Sequence, residues 1–117
     1  MHSNGRLEDL TLLPKLNQLG VELCIASRND RYNLETQLDQ LEIQKYFRYV
    51  MADFRPKSIQ LKHLLWLYKK EECHFKKILF VDDYLPNIER VRKDIPNIQC
   101  LQFGYDIHSL SELIQLV

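Results

Sequence analysis

Little in this sequence leans one way. Sixteen basic residues stand against sixteen acidic ones, a formal net charge of zero, so there is no electrostatic footprint for nucleic acid or an anionic membrane surface. No apolar run approaches the roughly 18 residues that a membrane span needs. The opening MHSNGRLEDL is polar and lacks the apolar centre of a secretory signal. Cysteine is scarce and odd in number: Cys24, Cys73 and Cys100 are too widely spaced for a disulfide framework or a zinc pattern. Cys24 and Cys100 lie in apolar runs and read as buried free thiols. Cys73 and His74 resemble half of a metal site, with no second half in the sequence. Free thiols fit a reducing, cytoplasmic setting. There is no repeat, low-complexity tract or linker, so residues 1–117 read as one domain with one core.

What is present is an alternation of helical and strand-like patterns. LTLLPKLNQLG places Leu10, Leu13, Leu16 and Leu19 near helical spacing, with Gly20 as a stop. VELCIAS (21–27) reads as a strand and RNDR (28–31) as a turn. RYNLETQLDQLEI carries Leu34, Leu38 and Leu41 on one helical face, and a short edge strand is expected at 48–52. KSIQLKHLLWLYKKEE is the longest helical pattern. KILFVDD is the second clear strand, and LPNIERVRKDI follows as a helix with Pro86 near its first turn. NIQCLQF is a third clear strand, and SLSELIQLV closes as a helix capped by Ser109. This order predicts an α/β fold: one mainly parallel sheet with helices on both faces. In such folds ligands sit beyond the carboxyl ends of the strands.

That rule gathers the polar strand ends. Two carboxylates, Asp82 and Asp83, directly follow the apolar run 78–81; side by side they repel each other and are costly to desolvate. Mg²⁺ takes oxygen ligands and keeps several waters, so one carboxylate bound directly and one orienting a water suit it, and the ion relieves the repulsion. Ser27 offers a hydroxyl, the amides of Arg28 and Asn29 suit a phosphoryl oxygen, and Lys57 is a point charge able to balance phosphate. Together these suit phosphoryl chemistry, in which positioning and charge neutralisation do most of the catalysis. Each also has a plainer reading. Ser27 suits a turn or cap and Lys57 a solvated charge. Arg28, Asn29 and Asp30 suit turn chemistry, with Asp30 also a helix cap. Asn87 suits a helix start.

GVELCIASRND, then RPKSIQLKHL, then ILFVDDYLPNIERVRKDIPNIQCL resembles the haloacid dehalogenase (HAD) superfamily, in particular its magnesium-dependent phosphatases and the related polyketide-pathway glyceryl-transferring domains. The resemblance covers residues 13–103. It implies a three-layer Rossmann-like sandwich. It also implies hydrolysis of a small phosphorylated substrate or a phosphoprotein, with Ser27 as phosphate-binding hydroxyl, Lys57 as the catalytic, phosphate-balancing lysine, and Asp82 and Asp83 as the Mg²⁺ acids.

One motif is absent. The superfamily begins with DxDxT/V at the end of a central strand, which supplies the nucleophilic aspartate and the general acid/base. Glu8–Thr11 offers an aspartate, but neither a preceding apolar strand nor a second acid two positions on. The expected outcome is an incomplete or inactive phosphatase with weak Mg²⁺ binding, or a non-catalytic remnant that binds phosphate or a protein partner. NGRLEDL resembles the segment that comes soon after the first motif in relatives, which favours a short N-terminal loss. The fold should lack its usual first central strand. The strands at 21–27 and 77–83 then either pair directly, about 5 Å apart, or stand about 10 Å apart if a central strand is missing or donated from another chain. An unfilled gap would leave backbone groups unpaired, which a core does not tolerate. A receiver domain is a weaker alternative. Its acidic pair belongs near the N-terminus and its phospho-acceptor on a later strand, whereas NIQCLQF ends without an aspartate.

Overall fold

Three of the helices end in the same way, each closed by a residue in the left-handed region. In this computed structural model, which describes residues 7–117 and the side chains from residue 11 onward, α1 spans Leu7–Gln18. Its end is closed by Val21 N–H donating to Leu16 C=O, with Gly20 at φ 84°, the left-handed residue such a stop requires. The same closure ends α2, Arg31–Gln40, and α3, Lys57–Lys70, but there the left-handed residues are Glu42 (φ 56°) and Glu72 (φ 60°). Asp30 caps α2 by accepting from Tyr32 N–H at 3.3 Å. α4, Leu85–Asp94, starts with Pro86 in its first turn. Two 3-10 helices, Gln44–Tyr46 and Leu110–Gln115, complete the helical content. The second replaces the expected closing α-helix; Glu112 reaches back to Ser109 N–H at 3.0 Å to cap it.

The four strands are short: β1 Cys24–Ser27, β2 Tyr49–Ala52, β3 Leu79–Asp82 and β4 Gln99–Gln102. β1 therefore begins three residues later than the strand expected from residue 21. All pairing is parallel, as expected. β1 pairs β2 with Ile25 opposite Val50, and β3 pairs β4 with Phe80 opposite Cys100. The single sheet expected from the sequence is not formed, however: these are two separate two-stranded sheets. Each is a β–α–β unit, with α2 connecting the first pair and α4 the second. No Cα of β1 lies within 8 Å of one of β3, well beyond the roughly 4.8 Å of adjacent strands.

Each unit has its own core. Leu13, Ile25, Leu34, Leu38 and Ile43 fill the first. Phe80, Ile88, Val91, Ile98 and Cys100 fill the second, with Leu61 and Leu65 of α3 packed against it. α3 also packs on β1, β2 and α4, and the Leu110–Gln115 3-10 helix that follows β4 packs on α1, so both join the two units. Among the described residues no helix is long and apolar enough to cross a membrane. Cys100 is buried as expected, but Cys24 is only half-buried, with its thiol 3.0 Å from the Tyr68 hydroxyl; burial pushes both groups up from their ordinary pKa values.

Candidate functional site

The carboxyl ends of β1 and β3 meet at one side chain. Lys57 opens α3 directly after Pro56, and its ammonium donates to the Ala26 carbonyl on β1. The same ammonium lies 3.7 Å from Asp82 Oδ2 at the end of β3, and the two side chains are 14% and 8% exposed. Ser27 and Asp82, 55 residues apart in sequence by subtraction of their numbers, thus lie at one edge of the molecule, bridged by a lysine. Burial draws the Lys57 pKa below the ordinary lysine range, against the opposing pull of Asp82 and then Asp83.

Asp82 is held by the start of the next helix. Oδ1 accepts from Tyr84 N–H at 2.8 Å, and Oδ2 accepts from Asn87 Nδ2 at 3.2 Å. Asn87 is therefore a helix-start residue that orients the acid. Asp83 behaves differently from its neighbour. It is exposed, so the expected cost of desolvating two carboxylates together falls on Asp82 alone. The physical reason is that β3 ends at Asp82, so Asp83 is the first residue past the sheet, in the bend before α4. Among the described residues no cluster of three or more His, Cys, Asp or Glu side chains is placed to hold a metal ion. That covers Cys73 and His74 as well as the acidic pair. Two carboxylates alone fit Mg²⁺ only as half of a shell, the rest falling to water and a phosphate.

On the β1 side, Ser27 sits where the strand ends, and its hydroxyl makes no hydrogen bond to a described residue. Arg28 is exposed and donates from Nε to the Phe54 carbonyl at 3.2 Å. Asn29 turns its Oδ1 onto Asp30 N–H at 2.8 Å, the turn chemistry that was its plainer reading. The structure brings Ser27, Lys57 and Asp82 to one edge, and it uses the Asn29 side chain locally.

Gln60 was not expected from the sequence. It lies one turn after Lys57 on α3 and is 0% exposed. Its Nε2 donates to Ser27 O at 2.8 Å, Asp53 O at 3.3 Å and Asp53 Oδ1 at 3.0 Å, pinning the ends of β1 and β2 together. Its Oε1 is buried with no partner among the described residues. Asp53 is clamped by Arg55, whose Nη2 approaches Oδ2 at 2.7 Å, and this guanidinium holds the carboxyl far below its usual range. The same Nη2 lies 3.2 Å from His63 Nδ1. The one signal in the sequence was spacing: Lys57 and Gln60 are three apart on a helix and share a face. A cavity of about 390 Å³ lies elsewhere, against β2, lined by Phe47, Tyr49, Met51, His63 and Leu67 among others; it does not reach the Lys57–Asp82 bridge. Neither protein-family models nor curated protein sequences give a match to this chain.

Proposed function

We propose that the chain is a phosphoryl-handling domain of the HAD kind, a three-layer α/β sandwich that keeps the groups for binding and neutralising phosphate but not the attacking carboxylate. The observation that carries this reading is the Lys57 ammonium, buried between the Ala26 carbonyl and Asp82, with the Ser27 hydroxyl, which bonds to no described residue, one residue on. A buried cation beside an unpaired hydroxyl at a strand end is a setting for a phosphoryl oxygen. In this reading the Ser27 hydroxyl and the amides of Arg28 and Asn29 take phosphoryl oxygens, and Lys57 balances their charge. Asp82 and Asp83 hold Mg²⁺ once phosphate and water complete its ligands; the ion adds charge neutralisation. Covalent catalysis also needs a nucleophile in reach, and Asp82 is committed to Lys57, Tyr84 and Asn87.

The experiment pairs binding with turnover. Inorganic phosphate with Mg²⁺ should shift the amide resonances of Ser27, Arg28 and Asp82, with an affinity on the order of millimolar for so incomplete an ion shell. p-Nitrophenyl phosphate should not be hydrolysed above background. Turnover that disappears in Asp82→Asn would show that a nucleophile operates within the chain. Phosphate shifts that bypass Ser27 and Asp82 would sink the reading.

A further inference from the structure

We propose that the open edge of β2 is a binding site for a short extended peptide, apolar at its centre and acidic at its ends, which adds to the first sheet as a third strand. The site lies apart from the Lys57–Asp82 bridge and does not rest on the function proposed above.

β2 pairs with β1 on one side and has no strand on the other among the described residues. Asp53 N–H donates to Ser27 O at 3.2 Å. With Ser27 opposite Ala52 and Ile25 opposite Val50, the backbone groups of Ala52 and Val50 therefore turn to the open side. Such groups are a template for a further strand. Proline and charge are two of the usual guards of an edge, and Tyr49–Ala52 carries neither. The cavity of about 390 Å³ runs along this edge and not over one face of the sheet. Tyr49, Val50 and Met51 all line it, whereas a cavity over one face would meet every second residue only.

The edge divides the cavity in two. Val50 and Phe47 pack on the first core beside Leu34 and Leu38 of α2, and Arg31 of α2 lines the cavity with them. Tyr49 meets the Tyr68 ring of α3 edge to face at 5.2 Å, and Met51 Sδ lies 3.4 Å from Arg55 Nη2. These two turn to the α3 side, with His63 and Leu67. An extended peptide sends successive side chains to opposite faces, so it fills both halves while its backbone pairs with the edge. The polar groups select its charge. No Asp or Glu lines the cavity, but Arg31 and Arg48 do. Each spends one nitrogen on an exposed acid, Arg31 on Glu35 at 2.8 Å and Arg48 on Glu71 at 2.9 Å. Exposed pairs of this kind are worth little, and each guanidinium has further N–H donors for a second carboxylate. His63 adds a donor: its Nδ1 lies 3.2 Å from Arg55 Nη2, which cannot accept, so Nδ1 accepts and Nε2 carries the ring's proton. Arg48 precedes β2, and Arg31 opens α2 beyond the carboxyl end of β1. Because β1 and β2 are parallel, the two cations mark opposite ends of the edge, with Met51 and Leu67 among the apolar groups between. An acid at each end of the peptide and apolar residues at its centre match that order.

The test uses the whole chain and a synthetic peptide of about five residues with blocked termini, valine–threonine–valine between two glutamates. One control carries glutamine at both ends. The other carries proline at the centre, with no N–H to donate. The expected result at saturating peptide is amide exchange slowed about tenfold at Val50 and Ala52. Cys100 on β4, the outer strand of the other sheet, should not change. The glutamine control should bind about tenfold more weakly at low salt, and added salt should shrink the difference. Arg31 and Arg48 are exposed. The double variant Arg31→Gln, Arg48→Gln should lose about tenfold in affinity for the acidic peptide and none for the glutamine control, which shows that the edge is intact. Amides of Val50 and Ala52 as protected as that of Met51 in the free chain would overturn the inference, because the edge would already be covered. So would binding of either control as tight as that of the acidic peptide, equal slowing at Cys100, or undiminished binding of the acidic peptide by the double variant. Protection that rises with protein concentration alone would overturn it in favour of a second copy.

Discussion

The two β–α–β units share a topology and differ at their carboxyl ends. In the first, the ends of β1 and β2 are locked by a buried amide: Gln60 ties Ser27 O to Asp53, and Arg55 clamps Asp53 in turn. In the second, the end of β3 is an acid held by two contacts from its own next turn, and Asp83 beside it is exposed. One end is a rigid donor frame and the other an acid held by its own next turn and by the Lys57 ammonium of α3. Their cores are equally distinct: no buried residue belongs to both clusters. The molecule is two small units joined by α3, by the packing of the Leu110–Gln115 3-10 helix on α1 and by one ammonium, where a doubly wound fold would have a continuous sheet.

The strongest way to break that comparison is to empty both cores. Leu38 is 0% and Ile88 1% exposed, one in each unit. Leu38→Ala and Ile88→Ala should each cost about 2–5 kcal/mol. Because the clusters share no residue, the costs should add to within about 0.5 kcal/mol in denaturant unfolding. A coupling of about 1 kcal/mol or more in the double variant would mean that the two cores are energetically one.

Gln60→Leu keeps the volume and removes the frame. It leaves the Asp53 carbonyl without its Gln60 donor, although Ser27 O keeps Asp53 N–H. The expected cost is about 2 kcal/mol, with faster amide exchange at Ser27 and Asp53 and none at Phe80 or Val91. Acceleration spread evenly over both units would show that the frame supports the whole molecule.

Much of this was legible along the chain and little of it across the chain. The four α-helices, the four strands, their parallel sense, the Asp30 cap and the convergence of Ser27, Lys57 and Asp82 follow from periodicity, caps and the rule for strand ends, whereas the closing segment forms a 3-10 helix in place of the expected α-helix. The split sheet does not, because local patterning encodes that a segment is a strand and not which strand lies beside it. The HAD resemblance left open whether the first and third strands pair directly or stand apart; β1 and β3 are not paired, and no Cα of one lies within 8 Å of the other. Gln60 was illegible for another reason. A glutamine on a helix reads as a solvated side chain, and its burial is decided by where β1 and β2 end. The different fates of Asp82 and Asp83 turn on which residue is the last to face the neighbouring strand.

Lys57 gives a smaller effect with a definite sign. Its pKa is lowered in the folded state, chiefly by burial. Between that lowered value and the ordinary value of about 10.5, the unfolded chain binds more protons than the folded one, so stability rises with pH through that window. The unfolding free energy of the parent chain, minus that of Lys57→Met, should therefore climb from neutral pH toward 10.5 and then level. A difference that falls over this range would mean that the attraction of Asp82 outweighs desolvation, and that the ammonium links the two units more strongly than burial opposes it.

The smallest expected effect is the most local. Glu42 closes α2 at φ 56°, a conformation that costs a residue with a Cβ about 1–2 kcal/mol and glycine almost nothing. Gly20 fills the equivalent place after α1 at φ 84°. Glu42→Gly relieves the strain but gives the unfolded chain more freedom to lose, so the net gain should be about 0.5–1 kcal/mol. Glu42 belongs to the first unit alone: Ile43 N–H donates across it to Leu38 O, and Leu38 and Ile43 both sit in the first core. If the units are as separate as their cores, the gain should appear as slower exchange at Ile25 and Leu38 and be undetectable at Phe80 and Val91 under conditions that favour local opening. Equal slowing in both units would mean that the first opens only when the second does, and that α3 couples them into one cooperative body despite the gap between their sheets.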